Sequence, residues 1–211
     1  MSKIGIMGGT FNPIHIGHLM LAEYAREEMG LDEVWFIPTG VSYMKAAAAR
    51  DAGMPSAGER LEMTALALEG NPRFRCLDLE VKREGATYTY ETLEELRENN
   101  PKNTYFFLCG ADCLYTIETW RSPERIFANC TLVASVRGDA DLTDMTHKKK
   151  QLEEKYQAQG AQIVLLPFRN LELSSTDIRN RVKKGESIRY MVPENVRFYI
   201  EKKGFYRNDR S

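Results

Sequence analysis

Two of the three histidines in this 211-residue chain, His15 and His18, lie within Gly8-Gly9-Thr10-Phe11-Asn12-Pro13-Ile14-His15-Ile16-Gly17-His18. On a helix, a spacing of three puts both imidazoles on one face. Gly8 and Gly9 carry no Cβ and let the backbone approach a phosphate closely. A helix opening near Gly17 adds free N–H groups and a positive dipole end. A histidine at such an end is biased toward neutrality yet still donates one N–H. The glycines follow neither the GxGxxG nor the GxxxxGK[ST] spacing. A second group stands about 155–160 residues further on, in Leu173-Ser174-Ser175-Thr176-Asp177-Ile178-Arg179. Hydroxyls and unpaired N–H groups at a helix start, with an arginine one turn in, make an anion cradle. Each group also has a plain structural reading: a tight turn with two capping histidines, and a serine N-cap beside a surface arginine.

The elements that must hold these groups follow from periodicity. Short apolar runs predict strands at 4–7, 34–37, 74–79, 104–109, 131–136 and 163–167. Amphipathic stretches predict helices at 17–29, with Leu21, Ala22, Ala25 and Met29 on one face, and from 57, with Leu61, Met63, Ala65, Leu66 and Leu68. Ser56-Ala-Gly-Glu59 reads as a capping box opening the second of these. Further helices are expected at 89–98 with Thr89 as N-cap, from Ser122-Pro123-Glu124 with Ser122 as N-cap, and at 143–159, 175–184 and 193–203. Strand and helix alternate about six times, which predicts an α/β fold: a doubly wound, mostly parallel sheet with helices on both faces and helices at its C-terminal end. Ligands in such sheets sit beyond the carboxyl ends of strands, where strand order switches. The loops after the first, fourth and sixth strands are therefore the candidates for function.

Composition sets outer limits. With 43% apolar and 28% charged residues, the chain reads as one soluble domain over 1–211, with a C-terminal helical part from about 171 to 206. Lys+Arg 29 against Asp+Glu 30 excludes a globally basic nucleic-acid binder. The run His147-Lys-Lys-Lys150 reads as a solvated helix face. No apolar run reaches the roughly 18–20 residues of a membrane span, and the N-terminus lacks a signal-peptide pattern, so a cytoplasmic location is expected. Cys76, Cys109, Cys113 and Cys130 form no CxxC pair and are expected to be reduced thiols, with no metal site.

The first loop resembles the G-x-F-x-P-x-H-x-G-H signature of the nucleotidyltransferases related to class I aminoacyl-tRNA synthetases. The segment 173–179 is similar to their I-S-S-T-x-I-R stretch, with Leu173 in place of isoleucine. Gly85-Ala-Thr-Tyr-Thr-Tyr-Glu-Thr-Leu93, Gly110-Ala-Asp-Cys-Leu114 followed by Trp120, Ile37-Pro38-Thr39-Gly40, Leu61-Glu62-Met63 and Asn71-Pro72-Arg73-Phe74 narrow the resemblance to bacterial nicotinate mononucleotide adenylyltransferases, from Ile4 to about Tyr206. The resemblance implies an enzyme of NAD biosynthesis that turns ATP and nicotinate mononucleotide into nicotinate adenine dinucleotide and pyrophosphate. It implies ATP contacts at Gly8, Gly9, Thr10, Phe11, His15, His18, Gly110, Asp112, Ser175, Thr176, Ile178 and Arg179. It implies mononucleotide contacts at Thr39, Lys45, Thr87, Tyr88, Thr89 and Trp120, the ring stacking on Trp120 and its carboxylate meeting N–H groups near Tyr88 and Thr89. His15, His18, Arg179 and Lys45 are the implied catalytic groups. Mg²⁺ would be held mainly by ATP phosphates and water, and homodimers are common in the family.

The chain departs from the family at Ser42-Tyr43-Met44-Lys45, where many members have P-P-H-K. Lys45 keeps the charge and Met44 replaces the histidine. Two alternatives stay open: a sibling transferase with another acceptor, such as phosphopantetheine, or a catalytically silent nucleotide-binding module.

Overall fold

A computed structural model describes residues 1–42, 53–136, 139–168 and 172–207. The apolar runs and amphipathic stretches become β1 (Lys3–Gly9), α1 (Ile16–Glu28), β2 (Glu33–Pro38), β3 (Val41–Ser42), α2 (Ala57–Leu68), β4 (Phe74–Cys76), α3 (Leu79–Lys82), β5 (Ala86–Thr87) and α4 (Thr89–Asn99). They continue as β6 (Thr104–Cys109), α5 (Ala111–Thr116), α6 (Pro123–Asn129), β7 (Thr131–Val136), α7 (Asp139–Lys155), β8 (Ile163–Pro167), α8 (Ser175–Lys183) and α9 (Glu194–Lys203). Short 3₁₀ turns occupy Ile117–Thr119 and Gln157–Gln159.

Six strands form one sheet in the order β4-β2-β1-β6-β7-β8, and β3 pairs with β5 separately. β1 runs parallel to β6, β6 to β7 and β7 to β8, with Lys3 opposite Thr104, Phe106 opposite Thr131 and Leu132 opposite Ile163. β1 is buried from Ile4 to Met7 and β7 from Leu132 to Val136. Unbroken burial along a strand means that both faces are covered, as expected of a doubly wound parallel sheet. From β1 the order steps one way to β2 and β4; from β6 it steps the other way to β7 and β8. The loop leaving β1 therefore starts at the reversal.

The chain divides into two compact units. The first comprises Met1–Gly8, Leu21–Trp35 and the described residues of Tyr88–Asn170. Its core includes Ile4, Leu93, Tyr105, Leu132 and Ile163. The second comprises Gly9–Met20, Phe36–Thr87 and the described residues of Leu171–Ser211, packed around Phe11, Ile14, Phe36, Met63, Ile178 and Val196. None of the described helices is long and apolar enough to cross a membrane.

Local expectations meet mixed outcomes. The capping box forms: Glu59 N–H donates to Ser56 Oγ at 3.2 Å and Ser56 N–H to the Glu59 carboxylate at 2.9 Å. Thr89 is the first residue of α4 rather than its cap; Tyr88 holds the cap position without a side-chain bond. Ser122 precedes Pro123 as expected, but at φ 51° its hydroxyl makes no capping bond. The run 74–79 keeps its strand only to Cys76 and then turns into α3, and the helix expected at 143–159 starts earlier and ends at Lys155. β3, β5, α3 and α5 are too short to give a periodic signal. On α2 the buried face is Arg60, Met63, Thr64, Ala67 and Leu68, while Ala65 is exposed. The cysteines are free thiols: Cys113 and Cys130 are buried, and Cys76 and Cys109 half-buried. Burial pushes Cys76 and Cys130 up to about 12.

Candidate functional site

The loop after β1 keeps its shape through its own side chains. Phe11 is buried at φ 46°, a left-handed conformation that costs a bulky residue energy unless its surroundings hold it. Its ring stands edge-on to His18 at 5.2 Å and lies 6.0 Å from Phe36. A Cβ on Gly9 would approach the Phe11 ring to 3.2 Å, so the glycine serves close packing here. The Asn12–Pro13 peptide is cis.

His15 and His18 lie together, as their spacing predicts, with ring centroids 3.7 Å apart. The His15 backbone N–H donates to His18 Nδ1 at 3.2 Å. An accepting Nδ1 carries no proton, so the His18 proton resides on Nε2. His15 is 6% exposed, and its Nδ1 has no hydrogen-bond partner among the described residues. Burial lowers the pKa of His15 to about 4. Burial, then the charge of His15, lowers that of His18 to about 3. Both imidazoles are therefore neutral near pH 7. Desolvation is the cause, where the sequence suggested a helix dipole. Neutral rings held in place by the fold act as hydrogen-bond donors rather than counter-ions.

The segment 174–179 meets the same loop. Ser174 caps α8, its Oγ accepting from Asp177 N–H at 3.1 Å. Ser175 Oγ donates to Pro13 O at 2.8 Å, and Arg179 Nη1 donates to Asn12 O at 2.8 Å. Arg179 Nη2 donates to Thr176 Oγ1 at 3.0 Å, and Ile178 is fully buried beneath them. The two motifs are thus sewn together by side chain–backbone bonds. Arg179 stays half-buried with guanidinium donors to spare, and Thr176 is exposed. Thr39 N–H donates to Gly9 O at 2.9 Å. Thr87 is buried, its Oγ1 donating to Val41 O at 3.5 Å. Lys45 and the Tyr43–Arg50 loop fall outside the described residues.

The other expected contacts belong to the first unit. Gly8 lies near the end of β1; a Cβ there would come within 3.4 Å of the Phe107 ring. Trp120 is half-buried and edge-on to Phe107 at 6.0 Å, which leaves indole surface open for stacking. Tyr88 stacks on Tyr90 at 5.9 Å. Gly110 caps α5, and Asp112 stands exposed in its first turn.

Three residues escape the sequence reading. Asn12 accepts Tyr206 Oη on its Oδ1 at 2.6 Å and donates from Nδ2 to Met54 Sδ at 3.8 Å. Tyr206 is buried at φ 62° and donates its N–H to Gly53 O. Arg60 is buried on α2 with its guanidinium on backbone carbonyls. Only Arg60 left a signal: a charge on the stripe with Met63, Thr64 and Ala67.

Residues 6–181 match the cytidylyltransferase-like family, which makes the chain a nucleotidyltransferase of that class. A "probable nicotinate-nucleotide adenylyltransferase" of Lachnoclostridium phytofermentans is 44% identical over 98% of this chain and 100% of its own. One of Clostridium beijerinckii is 40% identical over 98% and 100%. The chain belongs to the nicotinate-nucleotide adenylyltransferase family. Its fold is shared with the Plasmodium falciparum nicotinic acid mononucleotide adenylyltransferase complexed with APC, at TM-score 0.71 and 21% identity over 98% of both chains.

Proposed function

We propose that this chain transfers the adenylyl group of ATP to the 5′-phosphate of nicotinate mononucleotide, giving nicotinate adenine dinucleotide and pyrophosphate. Family membership over the whole chain supplies the reaction. The observation that carries its mechanism is the neutral pair His15 and His18, with ring centroids 3.7 Å apart and His18 Nδ1 held by the His15 N–H.

The mononucleotide phosphate is already ionised and needs no protein base. It attacks the α-phosphorus in line while pyrophosphate leaves, so catalysis rests on positioning and charge stabilisation. His18 Nε2–H donates to the α-phosphate oxygens, and His15, fixed against it, offers a second contact. Arg179, Thr176 and the start of α8 hold the leaving pyrophosphate. Ser175 acts through Pro13 O, shaping the loop. Thr10 and Phe11 frame the phosphates, with Gly110 and Asp112 assigned to the nucleoside and Lys45 to the phosphates. Trp120 offers its face to the pyridinium ring, worth about 0.5–2 kcal/mol. The N–H groups of the first turn of α4, around Tyr88 and Thr89, suit the nicotinate carboxylate better than a neutral amide. Mg²⁺ fits as a passenger of the phosphates. The described residues gather no cluster of three or more His, Cys, Asp or Glu, and the donors here are imidazoles and a guanidinium. When bound, the ion supplies charge neutralisation on phosphate oxygens.

Pyrophosphate release with ATP and Mg²⁺, compared between nicotinate and nicotinamide mononucleotides, tests the reading. Strong release with the acid and weak release with the amide is expected. Equal rates would remove the carboxylate argument. No release with either would favour another acceptor or a binding module.

A further inference from the structure

Arg60 carries a role that neither the family motifs nor the reaction assigns. It is 6% exposed on α2. Its Nη1 donates to Thr10 O at 2.6 Å, and its Nη2 donates to Thr39 O at 2.6 Å and Gly40 O at 3.1 Å. Three carbonyls from two loops thus converge on one guanidinium. The Thr39 N–H bond to Gly9 O, at 2.9 Å, joins the same loops directly. The backbone closes tightly here: a Cβ on Gly40 would lie 2.1 Å from Glu80 O. Burial pulls the Arg60 pKa below the usual arginine value, with Tyr206 and Glu80 pushing back, and a guanidinium stays charged throughout the neutral range.

A trans peptide is planar, with its C=O and N–H pointing opposite ways. Where Thr10 O faces Arg60, the Phe11 N–H faces away from it. The Thr39–Gly40 peptide turns the Gly40 N–H away in the same manner. A cation behind the two loops therefore fixes the direction of two amide dipoles in front of it. Lysine cannot replace this arrangement, because a point charge on a flexible stem lacks the planar fork that spans three acceptors.

We propose that Arg60 is a positioning residue for phosphate recognition, holding the carbonyls of Thr10, Thr39 and Gly40 so that the Phe11 and Gly40 amides face the substrate phosphates. The inference rests on the adenylyl-transfer reading above. Amides aimed in advance grip bound substrate and transition state alike, so their loss appears mainly in KM.

The test has two parts. In the wild-type protein, the amide resonances of Phe11 and Gly40 are followed by NMR as inorganic pyrophosphate is added; both are expected to shift. In Arg60→Lys, kcat/KM is expected to fall about 10²-fold, mostly through KM for both nucleotides. The melting temperature should fall, because buried carbonyls that lysine does not reach lose their donor, while the circular dichroism spectrum stays unchanged and the pyrophosphate-induced shifts disappear. Wild-type amides that stay unmoved by pyrophosphate, or a folded Arg60→Lys enzyme with wild-type KM values, would overturn the proposal. If Arg60→Lys does not fold, the wild-type titration decides alone. A wild-type protein whose amides shift but which forms no dinucleotide would refute the transfer reading and leave the Arg60 cradle standing.

Discussion

Lowering the pH from 7.5 to 5.5 should destabilise this protein through His15 and His18. In the unfolded chain both imidazoles take their ordinary value of 6.5; in the folded chain they are held at about 4 and about 3. The unfolded state therefore binds protons first as pH falls, and stability drops between 6.5 and the folded values. One pH unit below 6.5, each site favours the unfolded chain by about 1.4 kcal/mol. His18 is half-buried and its share is trimmed by water, so the pair amounts to about 2–3 kcal/mol at pH 5.5. The carboxylates whose folded pKa is lowered, such as Glu59 and Glu118, act at lower pH and leave this window to the imidazoles. Urea unfolding at pH 7.5, 6.5 and 5.5 measures the effect. The double variant His15→Asn/His18→Asn should lose the dependence. A flat wild-type profile, or an equal slope in the double variant, would refute the account of two desolvated neutral rings.

His18→Ala removes the Nε2–H donor and should lower kcat by about 10²–10³ with the circular dichroism spectrum unchanged; near-normal pyrophosphate release would discard its role. Arg179→Lys cannot reach Asn12 O and Thr176 Oγ1 together, so KM for ATP should rise about tenfold in steady-state assays. Tyr206→Phe leaves Asn12 Oδ1 without its donor and should cost about 1–2 kcal/mol, a drop of about 2–8 °C in the melting temperature by calorimetry.

Elements long enough to show a period were legible in the sequence. The strands at 104–109, 131–136 and 163–167 match β6, β7 and β8, because buried parallel strands read as apolar runs bounded by turns. The meeting of the histidine loop with 174–179 was legible only through family resemblance, since no local rule links residues so far apart. Caps were less legible. The hydroxyls of Thr89 and Ser122 suit an N-cap, but φ 51° at Ser122 and the one-residue offset at Thr89 follow from tertiary packing. Asn12 and Tyr206 gave no signal at all, because a side chain bonded across the chain looks like any polar residue. Arg60 did give one, a charge within an apolar stripe, and its meaning appears only once the carbonyls around it are known.

The hydrogen bonds that shape the histidine loop also set a schedule for biosynthesis. Ser175 bonds to Pro13 across 162 residues, Arg179 to Asn12 across 167, and Tyr206 to Asn12 across 194. At the usual pace of about 5–20 residues per second, the ribosome adds Tyr206 roughly 10–40 s after Asn12. During that interval the nascent loop has Phe36, Thr39 and Arg60 to pack and bond with, but not yet Ser175, Arg179 or Tyr206. The loop that carries His15 and His18 therefore completes its set of hydrogen bonds only after residue 206 has been added.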